Sequence, residues 1–316
     1  MFYWGSDEEA GTRSVFPARD AERSSFNSEY AQGDLHGRPQ ADAQDANTLL
    51  RESAQAPIGV FDSGAGGFTI LSALRQKLPH EHYIYFGDTA NCPYGVRSDA
   101  EITTLTMRAC HFLIAQGVKL IVIACNTASQ AALTTLRATF SLPFVGVVPA
   151  VKPAARFTKR GRVGVAATNQ ATRAAYLRQL IDDYASGIQV YAVGCPELVT
   201  LVEQGELSGP LVEETLSHSL HPVLVHDIDV LILGCTHFPA LRPAIEHVVG
   251  RQVLVIDSGT AIARRTRSIL DTEALIHPTG PEEGALQVWC SGDATAFSRV
   301  AGKVLGYPVH ANQVTL

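Results

Sequence analysis

Two short runs in the chain share a build. Residues 120–129 (LIVIACNTAS) and 230–239 (VLILGCTHFP) are each a hydrophobic stretch that ends in a cysteine, with a threonine within two residues and a helical stretch behind it. A thiol at the end of a strand, facing the first turn of a helix, sits where backbone N–H groups can lower its pKa from the unperturbed ~8.5. Cys235 also has an imidazole two residues on, His237, which could donate to a carboxylate or help a thiol exchange protons. Plainer readings stand beside these. Cys125 could be a buried inert cysteine, although the polar Asn126 and Thr127 behind it argue against burial. Cys235 could be a core cysteine beside a helix-capping Thr236.

Other residues carry weaker signals of the same kind. Asp62-Ser63-Gly64-Ala65-Gly66-Gly67 follows a hydrophobic strand and opens a helix, so its glycines let the backbone turn sharply and approach a ligand at a helix N-terminus. It lacks the Gly-Lys-Ser/Thr of a phosphate-binding loop and the spacing of a dinucleotide fingerprint, and a tight turn capped by Asp62 is the alternative. Cys92-Pro93-Tyr94-Gly95 is a loop that brackets a tyrosine able to present its hydroxyl or ring, or is an ordinary turn. Glu203 falls at the C-terminal end of a short helix, where a carboxylate opposes the dipole; that placement signals a task or is a solvated surface acid. Zinc sites usually show paired spacings such as CxxC or HxxxH. No such pairing occurs among Cys125, Cys195, Cys235 and His237, so no metal is expected.

The elements that must position these residues follow from the hydrophobic pattern. Short β-branched runs at 58–62, 83–88, 120–125, 144–148, 163–168, 190–194, 230–235 and 253–257 alternate with amphipathic stretches such as 67–78, 99–116, 129–140, 169–184 and 210–225. That rhythm predicts an α/β fold with parallel sheets, in which ligands bind outside the carboxyl ends of the strands. Residues 1–56 show neither helical nor strand periodicity and read as a disordered or variable N-terminal extension. They hold ten acids and five arginines, most of the formal net charge of −6, so the remainder is near neutral and offers no nucleic-acid surface. A chain of 316 residues that is 46% hydrophobic and 18% charged has the balance of a globular protein with room for two domains. No run approaches a membrane span and no signal peptide is visible, so a cytoplasmic protein with six free cysteines is expected.

Taken in order, VFDSGAGG at 60–67, PYG at 93–95, ACNTAS at 124–129, VGVVPAVKPA at 145–154, GCTHFP at 234–239 and DSG at 257–259 resemble the glutamate racemase family, and the resemblance runs from Ile58 to about Leu305. It implies two doubly wound parallel-sheet α/β domains related by a pseudo-twofold, residues 57–150 plus 262–316 and residues 151–261, with the active site in the cleft between them. It implies that Cys125 and Cys235 are the catalytic acid/base pair, Cys125 acting on D-glutamate and Cys235 on L-glutamate. Asp62 and His237 would assist proton transfer and Glu203 would support it. Asp62, Ser63, Tyr94, Gly95, Asn126, Thr127, Thr236 and His237 would contact substrate. It further implies a homodimer, a role in peptidoglycan synthesis, cell wall biogenesis and cell shape, and, by analogy with extended members, activation by a cell-wall precursor, UDP-N-acetylmuramoyl-alanine. The chain departs from the family in its long extension and in having cysteine, in place of a bulkier apolar residue, at position 92.

The implied chemistry suits these residues. Inverting an α-carbon needs one group to remove the proton and another to return one on the opposite face, and two thiols of matched proton affinity provide that symmetry. Pyridoxal phosphate would require a Schiff-base lysine. The five lysines (Lys77, Lys119, Lys152, Lys159, Lys303) all lie outside the strand-end motifs, so a cofactor-independent route is expected. An aspartate racemase, a related decarboxylase and a non-catalytic binding protein for an anionic metabolite remain as alternatives.

Overall fold

The computed structural model describes residues 53–278, 280 and 282–316, which fall in one compact unit. The expected extension is therefore outside the described residues up to position 52. Ser53–Gln55 form a helical turn, and the buried Ala54 offers its carbonyl to Lys119 Nζ at 2.5 Å. Order thus begins before Pro57.

Among the described residues, ten strands form two sheets, parallel throughout. Strands β1 (Ile58–Asp62), β2 (Tyr83–Gly87), β3 (Leu120–Ile123), β4 (Phe144–Gly146), β9 (Leu286–Cys290) and β10 (Ala311–Gln313) make a six-stranded sheet in the order β10-β9-β2-β1-β3-β4. Strands β5 (Arg162–Ala167), β6 (Gln189–Gly194), β7 (Val230–Leu233) and β8 (Leu254–Ile256) make a second sheet in the order β6-β5-β7-β8. The run β2-β1-β3-β4 in the first sheet has the same order as β6-β5-β7-β8 in the second, so the internal echo of the two cysteine motifs extends to whole half-molecules.

Helices cover both faces of each sheet, as buried parallel strands require. Val60, Tyr85 and Val122 pack under α1 (Phe68–Lys77), α10 (Gly259–Thr272) and α11 (Ala294–Leu305). One residue along each strand, Phe61, Phe86 and Ile123 turn to α2 (Asp99–Ala115) and α3 (Asn126–Thr139) on the other face. In the second sheet Leu231 and Leu233 pack against α7 (Pro196–Gln204), α8 (Pro210–Leu224) and α9 (Arg242–Val249). Val163, Val165 and Ile232 face α4 (Val151–Phe157), α5 (Asn169–Arg173) and α6 (Ala175–Tyr184). The stretch 169–184 is thus two helices, parted at Ala174, whose ψ of 136° is extended. The two connections between the sheets are tied together where Ser258 Oγ donates to the Val148 carbonyl. Among the described residues no helix is long and apolar enough to cross a membrane.

Candidate active site

In each sheet the strand order reverses between the first strand and the third, and such a switch point is where an open α/β sheet leaves a crevice at its carboxyl edge. The first sheet places Asp62 and Ser63 after β1 and Cys125, Asn126 and Thr127 after β3. The second places Thr168 after β5 and Cys235, Thr236 and His237 after β7. Hydrogen bonds join the two edges. Thr236 Oγ1 donates to Asp62 Oδ2 at 3.0 Å, Thr127 Oγ1 lies 3.1 Å from Thr168 Oγ1, and Thr69 Oγ1 donates to the Thr236 carbonyl at 2.9 Å. The structure therefore brings Asp62, Ser63, Asn126, Thr127, Thr236, His237 and both Cys125 and Cys235 to one interface.

Asp62 has no exposed surface; its Oδ1 accepts from Gly64 N at 2.9 Å. Burial raises its pKa from 3.8 to about 6, against the lowering effects of His237, Gly64 N–H and Thr236. Cys125 is 6% exposed and Cys235 5%. Cys125 caps α3 itself, accepting from Ala128 N at 3.5 Å, which starts the helix at Asn126 and not at Ser129. Ser63 Oγ is 3.6 Å from its sulfur. The expectation that the helix N-terminus lowers this thiol's pKa is corrected here. Burial, reinforced by the charge of Asp62, outweighs the helix N–H and Ser63 and pushes Cys125 up to about 12.

Cys235 Sγ lies 3.6 Å from His237 Nδ1, and His237 Nε2 lies 2.5 Å from Glu203 Oε1, which also accepts from Ala65 N at 2.7 Å. Burial opposes a charge on His237, but hydrogen bonds with Cys235, Cys92 and Glu203 outweigh it and hold the ring's pKa well above the ordinary histidine value. Glu203 shows the matching displacement: burial would raise it, and the hydrogen bond and charge of His237 bring it below the ordinary glutamate range. The Glu203 seat requires Gly64, because a Cβ there would overlap the carboxylate.

Asn126 is 4% exposed, and its buried Oδ1 has no hydrogen-bond partner among the described residues. An ammonium group would satisfy it. Gly95 comes so close to the second sheet that a Cβ would lie 2.8 Å from Thr168 Cβ. Tyr94 differs from the reading that its hydroxyl faces the cleft. The hydroxyl donates to Asp88 Oδ2 at 2.7 Å, and Asp88 Oδ1 accepts from Ser291 Oγ at 2.6 Å, so it anchors its own loop. The carboxylate that claims it is six residues back in sequence and reaches it only once β2 is paired.

Sequence reasoning missed Thr168, Ala65 N–H and Cys92. Thr168 was detectable, since it holds the place after β5 that Ser63 holds after β1. Cys92 was not, because its neighbours come from distant segments: its sulfur, a Glu203 oxygen and a His237 ring nitrogen all lie within 4.8 Å of one another. This is the one group of three potential metal ligands among the described residues.

In sequence and in fold the chain is similar to known proteins. The sequence model of the Asp/Glu/Hydantoin racemase family matches residues 69–266. Glutamate racemase of Herpetosiphon aurantiacus is 44% identical over 244 residues, 77% of this chain and 96% of that protein. The crystal structure of a glutamate racemase isoform from Bacillus anthracis superposes with a TM-score of 0.75 at 32% identity, covering 83% of this chain and 98% of that one. The Escherichia coli glutamate racemase, solved with L-glutamate and the activator UDP-MurNAc-Ala, superposes with a TM-score of 0.71 at 35% identity over 81% and 97% of the two chains. With relatives of this identity covering more than three quarters of its length, and with the same two-sheet fold, the chain belongs to the glutamate racemase family of isomerases.

Proposed function

We propose that the protein interconverts L- and D-glutamate without a cofactor, using Cys125 and Cys235 as the two acid/base groups, and supplies D-glutamate for peptidoglycan synthesis. The observation that carries this reading is the placement of two nearly buried thiols after equivalent strands, β3 and β7, in one interface. Each thiol has its own relay partner. His237, held charged against burial by hydrogen bonds with Cys235, Cys92 and Glu203, stands beside Cys235, the base that removes the α-proton of L-glutamate. Cys125, a thiol at neutral pH, returns a proton to the opposite face and is left as a thiolate. Asp62, with a pKa of about 6, is suited to pass protons near that sulfur and restore the starting state.

The carbanion formed between the two transfers needs fixed donors and exclusion of water. Ser63, Asn126, Thr127 and Thr236 supply polar groups, and the interface leaves the sulfurs little solvent. Lys119 and Lys303 are engaged elsewhere: Lys119 is paired with Glu81 at 2.5 Å, both side chains 2% exposed, and Lys303 Nζ donates to the Gly205 carbonyl. Activation by UDP-MurNAc-Ala belongs to the same reading, by analogy with the Escherichia coli relative.

Polarimetry on the purified, pyridoxal-free protein tests this directly. Rotation of L-glutamate is expected to decay to zero with the wild type, while Cys125→Ala and Cys235→Ala lose about 10²- to 10⁴-fold in rate, the usual worth of a positioned acid or base. A constant rotation with wild type, with and without UDP-MurNAc-Ala, overturns the reading. Faster decay with L-aspartate reassigns the substrate.

A further inference from the structure

Cys92 stands on the loop between β2 and α2 in the first half of the molecule, while Glu203 ends α7 and His237 follows β7 in the second. Their sulfur, oxygen and nitrogen converge within 4.8 Å. We propose that Cys92, Glu203 and His237 form a site for a thiolate-seeking divalent cation of the zinc type, and that filling it shuts the isomerase off. The binding claim stands on the geometry; the inhibition claim rests on the proposed two-thiol reaction.

The donor set is the one such cations select. Thiolate, imidazole and carboxylate are all zinc ligands, and three protein donors leave a fourth position for water. Around a tetrahedral ion at the usual bond lengths the donors sit about 3.4–3.6 Å apart. His237 Nε2 and Glu203 Oε1, now hydrogen-bonded at 2.5 Å, would part by about 1 Å, and the sulfur, within 4.8 Å of both, would close by no more than about 1 Å. Small rotations of two side chains and one loop residue accomplish this. The His237 ring is already oriented, with Nδ1 toward Cys235 and Nε2 toward the centre of the cluster. A ligand imidazole fixed through its other nitrogen is the usual arrangement.

The rim is open on the right side. Cys92 is half-buried and the Glu203 side chain 23% exposed, whereas that of His237 is 3% exposed. An ion therefore reaches Cys92 and Glu203 first and His237 last. Ligation displaces the Cys92 thiol proton and the His237 Nε2 proton, both released to solvent, and replaces the His237–Glu203 hydrogen bond with two metal bonds. With Nε2 on the metal and Glu203 withdrawn, His237 no longer exchanges protons with Cys235. The ion also bridges the two halves of the molecule, against the parting that a buried site needs to admit substrate. No spacing rule reveals such a site, because its ligands come from three separate segments.

Cobalt(II), which reports thiolate ligation by a near-ultraviolet charge-transfer band, is titrated into the full-length metal-free protein under phosphine reductant. One equivalent is expected to develop the band together with tetrahedral ligand-field bands, and to abolish glutamate turnover; zinc(II) is expected to bleach both sets. Cys92→Ala is expected to lose the charge-transfer band and to need more than about 100-fold more zinc for half-inhibition, beyond what losing even an outer partner of a ligand does. Cys125→Ala and Cys235→Ala keep the band. Glu203→Gln, which preserves side-chain volume, is expected to weaken cobalt binding at least tenfold and guards against misfolding of Cys92→Ala. No band at ten equivalents, or a band that survives Cys92→Ala and disappears with Cys125→Ala or Cys235→Ala, overturns the site. Stoichiometric cobalt at Cys92 with undiminished turnover overturns the inhibition. A wild type that binds cobalt through Cys92 but never racemises glutamate removes the functional reading and leaves the site standing.

Discussion

Asp62 carries a charge that the folded chain holds less readily than the unfolded one. Burial lifts its pKa from 3.8 to about 6, so the folded state favours the protonated acid. The resulting penalty is absent below pH 3.8, grows between the two values and is complete above pH 6, where it amounts to about 3 kcal/mol. Asp62→Asn keeps an acceptor for Gly64 N–H and removes the charge. At pH 8 the variant is expected to be more stable than wild type by about 1–3 kcal/mol in denaturant unfolding, with turnover reduced about 10²-fold or more. At pH 4 most of the stability gain should be gone. Equal stability of the two proteins at pH 8 would contradict the assignment. At this scale Cys125, Cys235 and His237 stood out in the sequence by motif and position, with plainer readings beside them, and the family resemblance supplied their roles and that of Asp62. Their protonation was not legible. The helix N–H that the sequence places before Cys125 is present, but burial dominates it, and burial is a property of the assembled interface.

At the scale of elements, the site depends on how closely the loop after β1 approaches α7. Ala65 N donates to Glu203, Tyr85 Oη donates to the Gly64 carbonyl at 2.7 Å, and Gly64 leaves the space that the Glu203 carboxylate fills. Gly64→Ala is therefore expected to push Glu203 away from His237 and lower turnover about 10²-fold, the cost of a misplacement of about 1 Å. Circular dichroism should show the wild-type fold, since the added methyl meets a side chain at the end of α7 and not the core of a sheet. Wild-type turnover in this variant would show that the Glu203–His237 contact is dispensable. The eight strands β1–β8 were legible as hydrophobic runs, because strands buried on both faces read that way. Strands β9 and β10 were missed. In LQVWC at Leu286–Cys290 only Val288 and Cys290 are buried and Gln287 is exposed, and Ala311–Gln313 is a three-residue edge; both are strands because β2 offers a parallel edge for β9 to extend. The break at Ala174 and the early start of α3 at Cys125 likewise depend on tertiary contacts and on a sulfur cap.

At the scale of the whole molecule, two half-molecules of matching strand order each bring one thiol to a common interface. Asp62–Thr236, Ala65–Glu203, Thr127–Thr168 and Thr69–Thr236 contacts all run between them, and they cover both sulfurs. In the proposed reaction, substrate entry parts these contacts, and closing them again excludes water from the carbanion. The division into an α/β repeat was legible from the echo of the two cysteine runs, while the convergence of Cys92 with Glu203 and His237 depends on how the halves meet. In the proposed two-thiol reaction each half supplies one sulfur, so the α-proton taken from one face is not the proton returned to the other.

Racemisation in deuterium oxide measures that directly. At early conversion from L-glutamate, mass and proton magnetic resonance spectra of the separated enantiomers are expected to show one deuterium at Cα of the D-glutamate formed and protium at Cα of the L-glutamate that remains. D-Glutamate that retains the substrate's α-proton, or equal labelling of both enantiomers from the outset, would contradict two sulfurs acting on opposite faces.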